Sequence, residues 1–310
     1  MNDTIIKELS QNPLNLGGRR GFLTKLGLAT LGGTALAATS RPAIAAQAAN
    51  ATATETDLAV LNFALNLEYL EAEYYLYATT GMGLEGAVID VDGGNGEKAG
   101  NVIIKKNPKV KFSNNAFEDY ANEIALDEGR HVAFLREAIT AFGGKPVARP
   151  EINLRKSFQD LGNLIGVKNF DPFENDVTFL LGAFIFEDVG VTAYKGASPL
   201  ITNKTILEAA AGILGVEAYH AGIVRTLLYS QGKDVRKIVN DISKVRQTLD
   251  DTKRDMDQPL RRAGGANLVP TDANSIVFSR TTRQVLNIVY GGVDAPNGLF
   301  FPKGLNGAIA

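Results

Sequence analysis

Glu128-Gly129-Arg130-His131 and Glu217-Ala218-Tyr219-His220 are two copies of one short pattern, a glutamate followed three residues later by a histidine. The chain holds only two histidines, and these segments contain both. Three residues on an α-helix turn the chain through about 300°, so each Glu and its His stand side by side on one face. Such a face could hold a metal ion. For a single pair the bland alternative is a hydrogen-bonded couple in the core. Two copies that use every histidine reverse the preference, because glutamate fills only about one position in fifteen to twenty.

Working outward, a second pattern precedes each copy. Phe63 to Ala78 reads FALNLEYLEAEYYLYA and Gly182 to Ala197 reads GAFIFEDVGVTAYKGA, with matches at Ala64/Ala183, Glu68/Glu187, Tyr75/Tyr194 and Ala78/Ala197. The segments that follow stay in register at Glu128/Glu217, His131/His220, Arg136/Arg225 and Gly143/Gly232. The chain therefore reads as a twofold internal repeat, each half a helix with a central Glu and then a helix with Glu-x-x-His.

This arrangement resembles the ferritin-like, carboxylate-bridged di-metal family, in which a four-helix bundle gives one Glu from each of two helices and a Glu-x-x-His from each of the others. The resemblance spans residues 57–232. It implies an all-α bundle and a ligand set of Glu68, Glu128, His131, Glu187, Glu217 and His220 around two divalent ions, iron or manganese. Four carboxylates cancel the charge of two such ions. Glu71 lies almost on the face of Glu68 and is its rival; the repeat favours Glu68, which meets Glu187, whereas Glu71 meets Gly190. Tyr75 and Tyr194, each seven residues after a central Glu, share its stripe. They could bond to a ligand, donate electrons in catalysis or fill the core.

With 310 residues, 45% hydrophobic and 21% charged, the chain is long enough for a sizeable core. A formal net charge of -2 and the lack of a basic cluster interleaved with aromatics argue against a nucleic-acid partner. Cysteine is absent, which excludes disulfides, thiolate metal sites and iron-sulfur clusters.

Residues 1–45 read as a leader and not as fold. Gly18-Arg19-Arg20-Gly21-Phe22-Leu23 resembles the twin-arginine export signature, a mildly apolar run follows from Leu26 to Ala38, and Ala43-Ile44-Ala45 offers a cleavage site. The run is too short for a stable membrane anchor. The resemblance implies the twin-arginine export machinery as a partner and a periplasmic or extracellular destination. It also implies export after folding, so that the metal is chosen in the cytoplasm.

Residues 46–56 form an Ala/Thr-rich linker. The first bundle helix is expected from a cap at Thr56 or Asp57 to about Thr79, and Val88–Val91 with Val102–Ile104 as a small hairpin. Ser113 caps the second helix, which stops at Gly143-Gly144. A crossover with a short helix over 157–165 leads to Asp171-Pro172, read as the start of the third helix, whose apolar surroundings make Glu187 its conspicuous internal charge. The fourth helix begins between Ser198 and Thr202 and ends near Gly232. Residues 233–310 give a fifth amphipathic helix and a C-terminal extension packed on the bundle. With NFALNLEYLEAEYY, that extension is similar to the desiccation-related (PCC13-62-like) family of ferritin-like proteins over nearly the whole mature chain.

Three functions follow from the resemblance. One is a peroxide- or oxygen-consuming oxidoreductase, catalase-like or ferroxidase-like. The second is metal handling without turnover, and the third a non-catalytic stress-protective protein whose site stays empty. The sequence leaves a homo-oligomer open.

Overall fold

The computed structural model describes residues 2–11 and 52–310. A short α1 (Asn2–Gln11) precedes four long helices, α2 (Glu55–Thr80), α3 (Asn115–Ala141), α5 (Asp176–Ala197) and α6 (Lys204–Ser230). Between α3 and α5 the chain crosses over by way of α4 (Lys156–Leu164); α7 (Lys233–Leu249) and α8 (Thr282–Tyr290) follow the bundle. The fold is all-α. α2 packs chiefly on α3 and α5 on α6, so each half of the repeat is one helix pair.

Each bundle helix starts on a side chain that satisfies its free N–H groups. α2 opens at Thr54 and not at Thr56 or Asp57: the Thr54 hydroxyl accepts from Asp57 N–H at 3.1 Å, and Asp57 accepts from Thr54 N–H at 2.8 Å. Asp57 also accepts from the Thr202 N–H at 2.7 Å, tying the start of α2 to the start of α6. Asp57→Ala is expected to cost about 2–3 kcal/mol, since it removes several bonds to a buried charged acceptor, against about 1 kcal/mol for Thr54→Ala. Denaturant midpoints of the two variants check the order.

α3 is capped by Asn114, one residue later than expected. α5 starts at Asp176, capped by Asn175, instead of at Asp171-Pro172. The reason is local: Asp171 is occupied by Phe173 N–H at 3.0 Å and by Lys105 at 2.5 Å, whereas Asn175 accepts from both Val177 and Thr178 N–H. A 3-10 turn, Ser198–Leu200, precedes α6, which starts after Asn203.

The expected hairpin does not form. β1 (Val102–Ile103) pairs in parallel with β2 (Ile152–Asn153) from the crossover, while Val91 accepts from Arg149 N–H at 2.8 Å. A second small ladder joins β3 (Arg261–Arg262) to β4 (Gly265–Ala266). Within residues 1–45, the described α1 packs on the bundle. In α1, Ile5 and Leu9 are buried one turn apart, and Glu8 pairs with Arg130 of α3 at 2.6 Å. The twin-arginine stretch, the apolar run and the cleavage site lie outside the described residues.

The crossover and extension are fastened to the bundle by aromatic rings. Tyr74 of α2 sits among Phe158, Phe173, Phe179 and Phe186, and its hydroxyl donates to Phe179 C=O at 2.6 Å. Phe300 of the extension closes this cluster, 5.0 Å from Phe186 and 5.2 Å from Phe158 between ring centres. Asn66 and Asn306 exchange bonds of 2.8 and 3.1 Å, which pin the chain end to α2. α5 and α6 are long and apolar enough to cross a bilayer, but the most apolar window of α5 is 83% buried inside the protein. Its apolar girth thus serves the core.

Candidate metal centre

The four long helices bring every residue of the implied ligand set to one buried place. α2 contributes Glu68, α3 Glu128 and His131, α5 Glu187, and α6 Glu217 and His220, and all are buried. Glu128 lies at the middle: its Oε1 is 3.0 Å from His220 Nδ1 and its Oε2 3.4 Å from His131 Nδ1. His131 Nδ1 also faces Glu68 Oε2 at 3.2 Å and Glu217 Oε1 at 3.9 Å. His220 Nδ1 faces Glu187 Oε2 at 3.7 Å. Each histidine therefore sits by the central Glu of its own half, and Glu128 is common to both.

Glu71 does not compete with Glu68 for one place. Both are buried and both carboxylates reach the cluster, Glu71 grouping with Glu187 and Glu217. The mismatch in the repeat explains how. A Cβ at Gly190 would collide with the Glu217 carboxylate, so only glycine there leaves that carboxylate its position. Glu73, two residues beyond Glu71, points elsewhere and is neutralised by buried Arg149.

The tyrosines cross between the halves. Tyr75 of α2 donates to Glu187 of α5, and Tyr194 of α5 donates to Glu68 of α2. Burial first, and then the adjacent Glu187 and Glu68 carboxylates, push both phenols well above their ordinary range, so each keeps its proton and remains a donor.

Asp127 is a residue that sequence reasoning missed. Its Oδ2 is 3.3 Å from His220 Nε2, leaving Nδ1 for the cluster; a carboxylate on the far nitrogen is the usual partner of a ligating imidazole. The repeat gave no signal, because its counterpart is Val216. Arg136 and Arg225 align in the repeat and also prove to be equivalent. Arg136 bonds to Tyr69 at 2.5 Å and Arg225 to Asp188 at 2.7 Å, in each half the residue that follows the central Glu.

The cluster's electrostatics fit cations. Burial, opposed by His131, raises Glu68 to about 7, and burial, opposed by His220, raises Glu187 to about 8. Glu71 and Glu217 are pushed well above the carboxylate range by burial and by neighbouring carboxylates. Burial works against a charged His220, yet Asp127, Glu128 and Glu187 lift it to about 10. Protons thus hold together carboxylates that would otherwise repel. Both oxygens of Glu128 and of Glu217, Glu187 Oε2, Glu71 Oε2 and His220 Nδ1 have no aligned hydrogen-bond partner among the described residues. Orphaned buried acceptors are costly, and here they converge. Two donor sets, Glu68/Glu128/His131/Glu217 and Glu128/Glu187/His220, each lie within 4.8 Å. Oxygen and imidazole donors without thiolate suit first-row divalent ions.

Residues 56–230 match the ferritin-like domain. The chain belongs to that family. This ferritin-like protein is 29% identical over 274 residues to the desiccation-related protein PCC13-62 of Craterostigma plantagineum, covering 82% of this chain and 84% of that one. It is 27% identical over 280 residues to the ferritin-like catalase Nec2 of Nesocodon mauritianus, covering 83% and 85% of the two chains. No solved structure matches it.

Proposed function

We propose that this ferritin-like protein holds two iron or manganese ions and consumes peroxide. The observation that carries the reading is the convergence of unpartnered buried carboxylate oxygens, with the Nδ1 atoms of both histidines, around Glu128. The catalase named among its relatives supports the choice of reaction. A bound metal pair that gives up and regains two electrons would turn two peroxides into one dioxygen and two waters, two protons passing from the peroxide oxidised to the one reduced.

The chain's own residues do the rest. Glu128 spans the two histidines, Asp127 orients His220, and Tyr75 and Tyr194 hold Glu187 and Glu68 in place across the bundle. The apolar walls of α2 and α5 keep bulk water from the cluster and strengthen every charge interaction within it. In this reading the tyrosines position ligands. The twin-arginine-like stretch supports export of the folded, metal-loaded protein, and cleavage after Ala45 would carry α1 and its Glu8–Arg130 pair away.

Elemental analysis after folding with Fe2+ or Mn2+, beside a peroxide-consumption assay, tests the proposal. The wild type is expected to hold at least two ions per chain and to evolve oxygen. The His131→Ala/His220→Ala double variant is expected to lose both properties. Metal without turnover would leave a metal-handling protein. No metal in either chain would leave the stress-protective reading, for which the desiccation-related relative speaks.

A further inference from the structure

We propose that the cluster has a third cation position, formed by Glu71, Glu187 and Glu217. The inference rests on the metal-binding reading above. The carboxylate oxygens of these three residues lie within 4.8 Å of one another, as do the donors of each of the other two sets. The three sets close into a triangle. Glu128 is shared by the two histidine-containing sets, Glu187 joins the His220 set to the third, and Glu217 joins the His131 set to the third. Each corner thus shares one carboxylate with each of the others, the geometry by which carboxylates bridge neighbouring ions.

A group of acids alone would not make a site, but these are not solvated acids. Glu71 is 7% exposed and Glu187 and Glu217 1%. Glu71 Oε2, Glu187 Oε2 and both oxygens of Glu217 have no hydrogen-bond partner among the described residues. Four carboxylates already cancel two divalent ions. Glu71 is a fifth, which beside a metal pair must keep its proton, because an unpaired charge there costs several kcal/mol. A third divalent ion displaces that proton and leaves one positive charge in all, which one small anion at the centre cancels.

The mismatch in the repeat gives the Glu217 carboxylate its place at this corner. Where α2 carries Glu71, α5 carries Gly190, and a Cβ there would strike the Glu217 carboxylate. A small cavity on the Glu71 side of this corner is lined by Leu67, Leu70, Glu71, Val189, Gly190 and Phe300, the last from the C-terminal extension. With oxygen donors and no imidazole, this corner is the weakest of the three and empties first.

The test is equilibrium dialysis of the wild type and Glu71→Gln against excess Mn2+, with bound metal counted by elemental analysis. Anomalous scattering from Mn2+-soaked wild-type crystals gives an independent count. Three ions in the wild type and two in Glu71→Gln are expected, with the third anomalous peak between Glu71, Glu187 and Glu217. Two ions in both, or three in both, overturn the third position while leaving the metal centre standing; no bound ion in either overturns both readings. Glu71 carries a proton in the metal-free protein, and Gln replaces that neutral group at nearly constant volume, so the metal-free variant should melt close to the wild type. Should it misfold, the wild-type anomalous map decides alone.

Discussion

Glu128→Gln will bind less than one metal ion per chain where the wild type binds two or more, and its melting temperature will no longer respond to added Mn2+ or Fe2+. Glu128 is the one carboxylate close to both histidines, and it is fully buried. An amide keeps its volume but brings a neutral group with N–H donors to a place where two cations need a shared anion. In the wild type, a ligand at a hundred times its dissociation constant stabilises by about 2.7 kcal/mol. That increment should disappear. A variant that retains two ions and the wild-type increment would show that the bridge lies elsewhere.

The same centre sets a pH dependence whose sign can be worked out. Without metal, Glu68 at about 7 and Glu187 at about 8 take up protons more readily in the folded state than unfolded, and His220 at about 10 does the same. Their contribution to metal-free stability is therefore present in acid and lost as pH rises through those values. Metal binding must displace the protons, each costing tenfold in affinity per pH unit below its pKa. Between pH 8 and pH 6 metal affinity should fall at least on the order of a hundredfold. Melting temperatures with metal and with chelator should draw together at pH 6 and spread apart at pH 8. A gap independent of pH would mean that these groups do not ligate.

What the sequence made legible was what repeats. Two Glu-x-x-His segments, Glu68 over Glu187 and Tyr75 over Tyr194 fix the bundle and its contents, because a helical period and a twofold register need no knowledge of long-range contacts. What escaped was set by partners far away in the chain. Val102-Ile103 has strand character, but its partner Ile152-Asn153 lies across the crossover, so the nearer apolar run was the wrong choice. Asp171-Pro172 has the form of a helix start, yet Lys105 and Phe173 claim its carboxylate and the helix waits for Asn175. Asp127 has no counterpart in the second half, and a reading built on symmetry passes over it. Glu71 was set aside by that symmetry, although its mismatch with Gly190 is the more informative fact.

Arg225→Met is expected to lower stability by about 3–5 kcal/mol, well beyond the effect of Arg136→Met at the equivalent position of the other half. Both arginines bond to the residue after a central Glu, but their surroundings differ. Arg225 is fully buried; it pairs with buried Asp188 and donates to the carbonyl of Asn267 at 2.7 Å. Asp188 also takes Arg246 at 2.8 Å, and Arg246 pairs with Asp257 at 2.7 Å. Asp257 in turn joins Arg280, which holds Asp250 through two bonds. Three arginines and three aspartates thus run from the ligand helix through α6 and α7 into the extension. Removing one cation leaves buried anion and carbonyl acceptors short of donors. Arg136, by contrast, bonds to neutral Tyr69, to the Asp92 carbonyl at 2.8 Å and to an Asp90 side chain that is 71% exposed, so its one charged partner stays solvated when Met takes its place. For a chain of this size the difference amounts to a melting-temperature gap of about 5 °C. Because Asp188 adjoins Glu187, Arg225→Met should also weaken metal binding at the His220 side, which elemental analysis of the folded variant reads directly. Equal, small shifts for the two variants would mean that the buried chain of charges does not hold the ligand helix.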